Sequence, residues 1–186
     1  GAMTNIGGKG INLWNDDDEF FYDVLHMPDG KNIQLRIHSI VGLIPLFAVE
    51  VLESELLKKV PEFEKRLRWF LNYRPDLASL ISRWHEPGKV ERRLLSLLRG
   101  HRMKCLLRRM LDESEFLSDY GVRALSRYHK ENPYEFHLDG TTLTVNYEPA
   151  ESTTELFGGN SNWRGPIWFP INFLIIESLQ RFHHYY

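Results

Sequence analysis

The fold is decided by the stretch Gly158-Gly159-Asn160-Ser161-Asn162-Trp163-Arg164-Gly165-Pro166-Ile167-Trp168, which leads into an apolar run that ends at Ile176. Pro166 and Pro170 lack amide donors and fit a helix only before or within its first turn, so the last helix should begin between them. The stretch therefore places two indoles and a guanidinium at or just before a helix start. Unpaired N–H groups at such a start attract anions and ligand oxygens.

Two interpretations of this stretch are open. Arg164 could donate two hydrogen bonds to a sugar diol or pair with a carboxylate, and Trp163 or Trp168 could stack on the apolar face of a pyranose. Alternatively, both indoles anchor the core and Arg164 forms a structural ion pair. The residues alone support the two interpretations equally.

The composition is that of an ordinary soluble globular protein. Hydrophobic residues make up 42% and charged residues 26% of the 186 residues, which suffices for one domain or for part of a larger one. The net charge of −2 gives no reason to expect nucleic acid or an anionic membrane as a partner. The apolar run from Pro166 to Ile176 is shorter than the roughly 20 residues that span a bilayer. We therefore expect a soluble protein and place it in the cytoplasm.

The ends, the cysteine and the acidic run add three expectations. Residues 1–10 are typical of a cleaved-tag remnant with a flexible lead-in, so residues 11–186 should form a single domain. Cys105 is the single cysteine, and its apolar neighbours predict a buried, inert thiol. The run Asn15-Asp16-Asp17-Asp18-Glu19 lacks the glycine turn and the distant Glu of a calcium loop. A solvated turn is therefore favoured, and no metal or cofactor is expected.

Two β-hairpins are predicted. The first runs from the aromatic segment 20–25 through the turn Pro28-Asp29-Gly30-Lys31 into the alternating residues 33–37. The second joins residues 134–138 and 142–147 around Asp139-Gly140, a dipeptide that favours a tight hairpin turn.

The other segments have a helical period. An apolar stripe predicts a helix from Ile40 to Ser54, and a second helix opens at Pro61 and stops at Arg74-Pro75. Shorter pieces follow at residues 76–82, 90–98 and 101–111. The basic residues of this region fall on several helix faces beside acidic ones, which favours a solvated surface over an RNA-binding one. We therefore expect a mainly α fold with one or two small β-hairpins.

A third segment of interest is Tyr120-Gly121-Val122-Arg123-Ala124-Leu125-Ser126. Gly121 permits a close turn or a close backbone approach, and the side chains of Arg123 and Ser126 offer hydrogen-bond donors beside it. By itself this pattern is a weak signal of a binding site.

Together with Leu13-Trp14, which leads to Phe21-Tyr22-Asp23-Val24-Leu25, these segments resemble glycoside hydrolase family 63, the family of processing α-glucosidase I and its bacterial relatives. The resemblance implies an (α/α)6 toroid, of which this chain would form about three helical pairs. It also implies inverting hydrolysis of α-glycosidic bonds, an oligosaccharide substrate, and a pocket lined by loops such as residues 158–168. The substrate-binding residues implied are Trp163, Arg164, Gly165, Trp168, Tyr120 and Arg123.

Inverting hydrolysis requires an acid and a base whose carboxyl groups lie roughly 6.5 to 9.5 Å apart. In the family the acid lies upstream of the segment that resembles Leu13-Trp14, and the base lies well downstream of the Trp-Arg-Gly-Pro-Ile-Trp motif. Neither residues 16–18 nor Glu177 matches these positions. We therefore assign no catalytic residue and expect a fragment of an α-glucosidase that binds substrate but is inactive alone.

The alternative is a non-catalytic carbohydrate-binding or protein-interaction module that reuses part of the toroid. In either case an open toroid would expose the apolar flanks that its neighbours normally cover. Large exposed apolar patches usually bind a partner, so we expect self-association or flanking segments that complete the toroid.

Overall fold

The structure is a computed structural model that describes residues 3, 11–79, 81, 86–98, 100–149 and 166–186. Over these ranges the strands pair as five separate two-stranded antiparallel sheets, interspersed with α-helices and 3₁₀ helices. The expected mainly α fold, a partial toroid of helical pairs with one or two hairpins, is therefore wrong, because the class is mixed α and β.

The strands are β1 (Trp14–Asn15), β2 (Phe20–Phe21), β3 (Asp23–His26), β4 (Asn32–Leu35), β5 (Val49–Leu52), β6 (Arg93–Ser96), β7 (Leu117–Ser118), β8 (Gly121–Val122), β9 (Tyr134–Leu138) and β10 (Thr141–Val145). The α-helices are α1 (Ser54–Lys59), α2 (Pro61–Tyr73), α3 (Pro75–Ala78), α4 (Gly100–Met110) and α5 (Phe169–Tyr185). The 3₁₀ helices are Ile40–Phe47, Lys89–Glu91 and Arg127–Lys130.

The helix predicted from Ile40 to Ser54 is the clearest local error. A 3₁₀ helix ends at Phe47, and β5 then pairs with β6, more than 40 positions along the chain, in the register Val49↔Ser96. Val49 and Leu52 of β5 are buried. A short apolar run with β-branched residues fits a strand as well as a helix, and only the distant partner strand decides between them.

Both predicted hairpins are confirmed. Strands β3 and β4 pair from Asp23↔Leu35 to His26↔Asn32, and β9 and β10 pair from Leu138↔Thr141 to Tyr134↔Val145. At the tip of the second hairpin Asp139 and Gly140 have φ angles of +49° and +78°. Two consecutive positive φ angles define the tight hairpin turn that an Asp-Gly pair favours.

The backbone divides into two compact units. The first unit comprises Pro45–Met103 and Phe173–Tyr186, and the second comprises Ala2–Ile44 and Lys104–Asn172. The fully buried side chains of the second unit include two aromatic rings and several aliphatic chains: Phe20, Ile40, Leu43, Leu106, Phe116 and Val145.

The last helix begins at Phe169, between Pro166 and Pro170, as the sequence predicts. The sequence predicts a buried stripe of Ile171, Leu174, Ile175, Leu179 and Phe182 on this helix. Ile171, Ile175 and Phe182 are buried, but Leu174 is 43% exposed. The buried stripe follows the spacing i, i+4, i+7, i+11, and Leu174 lies one position off it, about 100° around the helix. The prediction is therefore wrong for that residue.

Helix α2 also begins and ends where the sequence predicts, at Pro61 and before Pro75. Among its residues Leu71 is the buried one, whereas Phe63, Trp69 and Tyr73 are exposed. The Trp69 and Tyr73 rings stack on the helix surface with their centroids 4.9 Å apart. In the ranges that the structure describes, no helix combines the length and the apolar character needed to span a membrane.

Candidate functional site

The predicted substrate-binding residues fall into two groups. Trp163, Arg164 and Gly165 lie outside the described residues. Trp168 is half-buried directly before helix α5. Tyr120 and Arg123 lie in the second unit. Tyr120 is in the turn between strands β7 and β8, and Arg123 directly follows β8.

The β8 segment is bound to the described end of the motif. Arg123 forms an antiparallel bridge with Ile167, and the Ala124 amide donates to the Pro166 carbonyl at 2.8 Å. Arg123 and Ala124 therefore contact the two residues that precede Trp168.

One side chain, Asn172 in the first turn of α5, reinforces this contact. Its Oδ1 accepts from the Val122 amide at 2.7 Å, and its Nδ2 donates to the carbonyls of Val122 at 3.0 Å and Trp168 at 3.1 Å. Gly121 has a φ of +127°, and a Cβ atom there would lie 2.8 Å from Asn172 Oδ1. The close backbone approach predicted for this glycine is confirmed.

A cleft of about 370 Å³ opens beside this contact, and we call it the motif cleft. Its lining residues are Glu113, Leu117, Ser118, Asp119, Tyr120, Arg123, Arg127, Tyr147, Pro149, Pro166 and Ile167. Tyr120 is one of these lining residues, and it is 86% exposed. Two of the predicted residues, Tyr120 and Arg123, therefore line one cleft together with Pro166 and Ile167 of the motif.

Arg123 has a structural task within the motif cleft. Its Nη1 donates to the carbonyls of Glu113 at 3.1 Å and Glu115 at 3.3 Å, and also to the Leu117 carbonyl. These bonds hold the loop of residues 113–117 in place. A guanidinium carries five N–H donors, so a ligand in the cleft would use the Nε or Nη2 edge.

A second pocket in the same unit, of about 310 Å³, shares no lining residue with the motif cleft. We call it the charged pocket, because its wall carries carboxylates, guanidiniums, imidazoles and phenols: Asp18, Tyr22, Arg36, His38, Arg109, Glu115, Tyr128, His129, Asn132, Pro133 and Tyr134.

At one side of the charged pocket, Asp18 holds Arg36. The guanidinium donates from Nε to Asp18 Oδ2 at 2.7 Å and from Nη2 to Oδ1 at 2.5 Å, and the Tyr22 hydroxyl donates to Oδ2 at 2.8 Å. Burial alone would raise the pKa of Asp18, but the hydrogen bonds from Arg36 and Tyr22 outweigh it and lower the pKa. Asp18 is therefore ionised at neutral pH.

At the other side, Glu115 is the central acceptor. Its Oε1 accepts from Arg109 and its Oε2 accepts from the Ser126 hydroxyl at 3.1 Å. Burial acts to raise the pKa of Glu115, but His38, Arg109 and Ser126 together lower it. His38 Nδ1 lies 3.3 Å from Glu115 Oε2, yet the two are misaligned, so this buried nitrogen has no hydrogen-bond partner among the described residues.

His129 fixes the position of His38. Its Nε2 accepts from the His38 amide at 2.8 Å, so the ring proton is assigned to Nδ1, which donates to the Asn132 carbonyl at 2.9 Å. Burial lowers the pKa of His129 to about 4, so the ring is neutral at physiological pH. The His38 ring is stacked against Tyr128, with the centroids 4.7 Å apart.

Sequence reasoning missed the charged pocket. Residues 16–19 do form a turn, as predicted, but the solvated environment expected there is wrong for Asp18, whose side chain is 20% exposed. The pocket's side chains come from four separate stretches between positions 18 and 134, and no local pattern links them. The buried Cys105 is confirmed, with an exposure of 2%.

Comparison with known proteins gives two matches. Residues 93–186 match the model of the Glycosyl hydrolase family 63 C-terminal domain. The chain is also 51% identical over 176 residues to the uncharacterized protein YMR196W of Saccharomyces cerevisiae, an alignment that covers 94% of this chain. The chain spans 16% of the length of that relative. The whole motif cleft lies inside the matched range, whereas Asp18, Arg36 and His38 of the charged pocket precede it.

Proposed function

This chain belongs to glycosyl hydrolase family 63, and we propose that it is a segment of an inverting α-glucosidase to which it contributes substrate-binding residues. Membership of the family implies an oligosaccharide substrate in general. The observation that carries the finer proposal is the motif cleft. All of its lining residues fall within the matched range, and it joins Tyr120 and Arg123 to the residues directly before Trp168.

The chemistry of the motif cleft suits a sugar. The exposed Tyr120 ring can stack on the apolar face of a pyranose, and Nε and Nη2 of Arg123 can donate to ring hydroxyls. Ser118 Oγ donates to the Gly121 carbonyl and can accept from a ring hydroxyl. We assign the same role to Trp163, Arg164 and Gly165 from the family resemblance. Trp168 would hold the cleft wall at the start of α5.

We assign no residue of this chain as the acid or the base of the reaction. No position of this chain matches the family's acid or base, so the 186-residue chain should bind substrate without cleaving it. Glu177, the carboxylate inside α5, lies 3.8 Å from Arg181 one turn along the helix. Glu177 is therefore paired within its own helix.

The test compares the 186-residue chain with the full-length yeast relative on a panel of α-linked gluco-oligosaccharides. We expect no hydrolysis by the chain and hydrolysis by the full-length protein. The substitution equivalent to Tyr120→Ala should weaken transition-state binding, lowering kcat/KM by about tenfold, the effect of one lost stacking contact. A matched control, Tyr73→Ala on the surface of α2, should leave kcat/KM unchanged. Turnover by the 186-residue chain that is lost on Arg164→Ala would refute the proposal.

The second candidate is a non-catalytic carbohydrate-binding or protein-interaction module, and an observation in the first unit favours it. Helices α1 and α2 carry four large apolar side chains that are about half exposed or more: Leu56, Phe63, Trp69 and Tyr73. The Trp69 and Tyr73 rings stack with their centroids 4.9 Å apart and form an exposed apolar patch, a feature that marks a surface for a partner. We therefore propose that the chain self-associates through this patch.

Two measurements test sugar binding and self-association by the chain. Tryptophan fluorescence titrated with glucose, maltose or mannose should show saturable quenching if the chain binds sugars, and no response to any of them favours a scaffold. Light scattering over a dilution series should show self-association that Trp69→Ala reduces. A strictly monomeric chain at high concentration would contradict the association.

A further inference from the structure

The charged pocket has a balanced set of charges. Asp18 is paired with Arg36, and Glu115 is paired with Arg109. Both carboxyl groups have a lowered pKa and are ionised at neutral pH, whereas the buried His129 is neutral. The pocket wall therefore offers strong acceptors and strong donors side by side with little net charge.

One polar group of the wall lacks a partner. His38 is 7% exposed, and its Nδ1 has no hydrogen bond within the described part of the chain although Glu115 Oε2 is 3.3 Å away. A buried nitrogen without a hydrogen bond is unfavourable. Protein atoms cover Nδ1 in this conformation, so a ligand hydroxyl would pair with it only after the ring turns toward the pocket, where the hydroxyl could accept from one member and donate to the other.

We propose that the charged pocket binds a neutral polyhydroxyl ligand, a single pyranose ring or a polyol of similar size, at a site separate from the motif cleft. An anion entering the pocket would meet the carboxylates of Asp18 and Glu115, and a cation would meet the guanidiniums of Arg36 and Arg109. A neutral polyol meets neither penalty, since each of its hydroxyls can pair with a donor or an acceptor.

The size and the aromatic wall of the pocket agree with this ligand. A volume of about 310 Å³ lies at the lower end of the range for small-molecule sites, which suits one ring rather than a chain of sugars. Tyr128 and Tyr134 supply rings for the apolar face of a sugar. This site goes beyond the proposed function, because it shares no residue with the motif cleft and requires no hydrolysis.

The test uses three glycosides that share one ring and differ in charge. Methyl α-D-glucopyranoside is neutral, the corresponding glucuronide carries a carboxylate, and the corresponding glucosaminide carries an ammonium group. Each is titrated into the 186-residue chain while NMR follows the ring nitrogens of His38 and His129. We expect the neutral glycoside to shift the His38 signals saturably and to bind at least about fivefold more tightly than either charged analogue. A charged analogue that binds as tightly as the neutral one, or saturation without any change at His38, would overturn the proposal.

Two variants test whether His38 and Arg36 contribute to ligand binding in the charged pocket. His38→Phe keeps an aromatic ring against Tyr128 and removes both ring nitrogens, whereas Arg36→Gln changes a side chain that is 53% exposed and should not affect folding. Arg36→Gln, followed through the His38 signals, and His38→Phe, followed by calorimetry, should each weaken binding about fivefold. If Arg36→Gln and a folded His38→Phe both bind like the unchanged chain, the assignment is wrong.

A third variant separates this proposal from the motif cleft. Tyr120→Ala alters the motif cleft and should leave the His38 response to the neutral glycoside unchanged. If Tyr120→Ala abolishes that response, the sugar is bound in the motif cleft alone and the charged pocket has no ligand of its own. The outcome does not depend on whether the full-length relative hydrolyses α-glucosides, so the two proposals can fail separately.

Discussion

The charged pocket and helix α2 use the same residue types with opposite physical consequences. In the pocket, hydrogen bonds join residues that are 91 positions apart, from the His38 amide to His129 and from Arg109 to the Asp18 carbonyl. On α2 the pair Arg68–Glu64 lies within one turn, and the Arg68 side chain is 72% exposed. The pocket's long-range hydrogen bonds connect distant segments at buried or partly buried groups, whereas the pair on α2 is solvated and local.

The difference shows where the stability of these regions resides. An exposed ion pair contributes about 0 to 1 kcal/mol, since water competes for both charges. A buried pair is costly to break, because the partner left behind keeps its charge without compensation. The same distinction applies to rings, as Phe116 is fully buried while Trp69 is 59% exposed.

The largest difference in the free energy of unfolding is expected between substitutions of Phe116 and of Trp69. Phe116→Ala removes a side chain that stacks on Phe20, with 5.9 Å between the ring centroids, and should lower the free energy of unfolding by about 4 kcal/mol. Trp69→Ala on α2 should change it by less than about 0.5 kcal/mol. Urea denaturation of both variants measures the difference. Equal losses would show that α2 is covered in solution.

The next contrast concerns the carboxylates. Glu115→Ala removes the carboxylate that accepts from Arg109 and Ser126, which leaves the Arg109 charge uncompensated, and should cost about 3 kcal/mol. Glu64→Ala breaks a solvated pair one turn from Arg68 and should cost about 0.5 kcal/mol. Chemical denaturation at neutral pH provides both values. A loss below 1 kcal/mol for Glu115→Ala would mean that water reaches this carboxylate freely.

Acid should destabilise the charged pocket selectively. The unfolded chain protonates His129 near pH 6.5, but the folded chain does so only near pH 4. The stabilising contribution is therefore complete above pH 6.5 and lost as the pH falls to about 4, a change of roughly 3 kcal/mol. Asp18 and Glu115, whose folded pKa values are lowered, add a further loss at still lower pH.

Denaturation midpoints measured between pH 7 and pH 4 follow this loss. His129→Gln keeps an amide acceptor and donor but has no titrating proton, so its profile should be flatter than that of the unchanged chain. An unchanged slope in His129→Gln would show that another group titrates in this interval.

The smallest expected effect is at the motif cleft. Asn172→Ala removes two hydrogen bonds that join α5 to Val122 of β8 and a third to the Trp168 carbonyl, and we expect a loss of about 2 kcal/mol. Ser178→Ala is a matched control on the same helix, because its hydroxyl donates only within α5, to the Leu174 carbonyl. Hydrogen exchange should show faster opening at Val122 in Asn172→Ala and no change there in Ser178→Ala.

Local chemistry in the sequence determined the turns, the helix starts and the family. Asp139-Gly140 specifies its hairpin because the turn needs two positive φ angles, and Pro61, Pro166 and Pro170 mark helix starts because proline lacks an amide donor. The motif around Trp163 to Trp168 pointed to glycoside hydrolase family 63, which the family match confirms.

Only the tertiary structure decided the strand at residues 49–52 and the charged pocket. A strand needs a partner, and Val49 finds Ser96 far along the chain, so the local apolar period predicted a helix instead. The pocket depends on Asp18, His38, Glu115 and His129 meeting in space, where close partners lower the pKa values of Asp18 and Glu115 and burial lowers that of His129. Desolvation and long-range pairing are properties of packing, and no local pattern of residues encodes them.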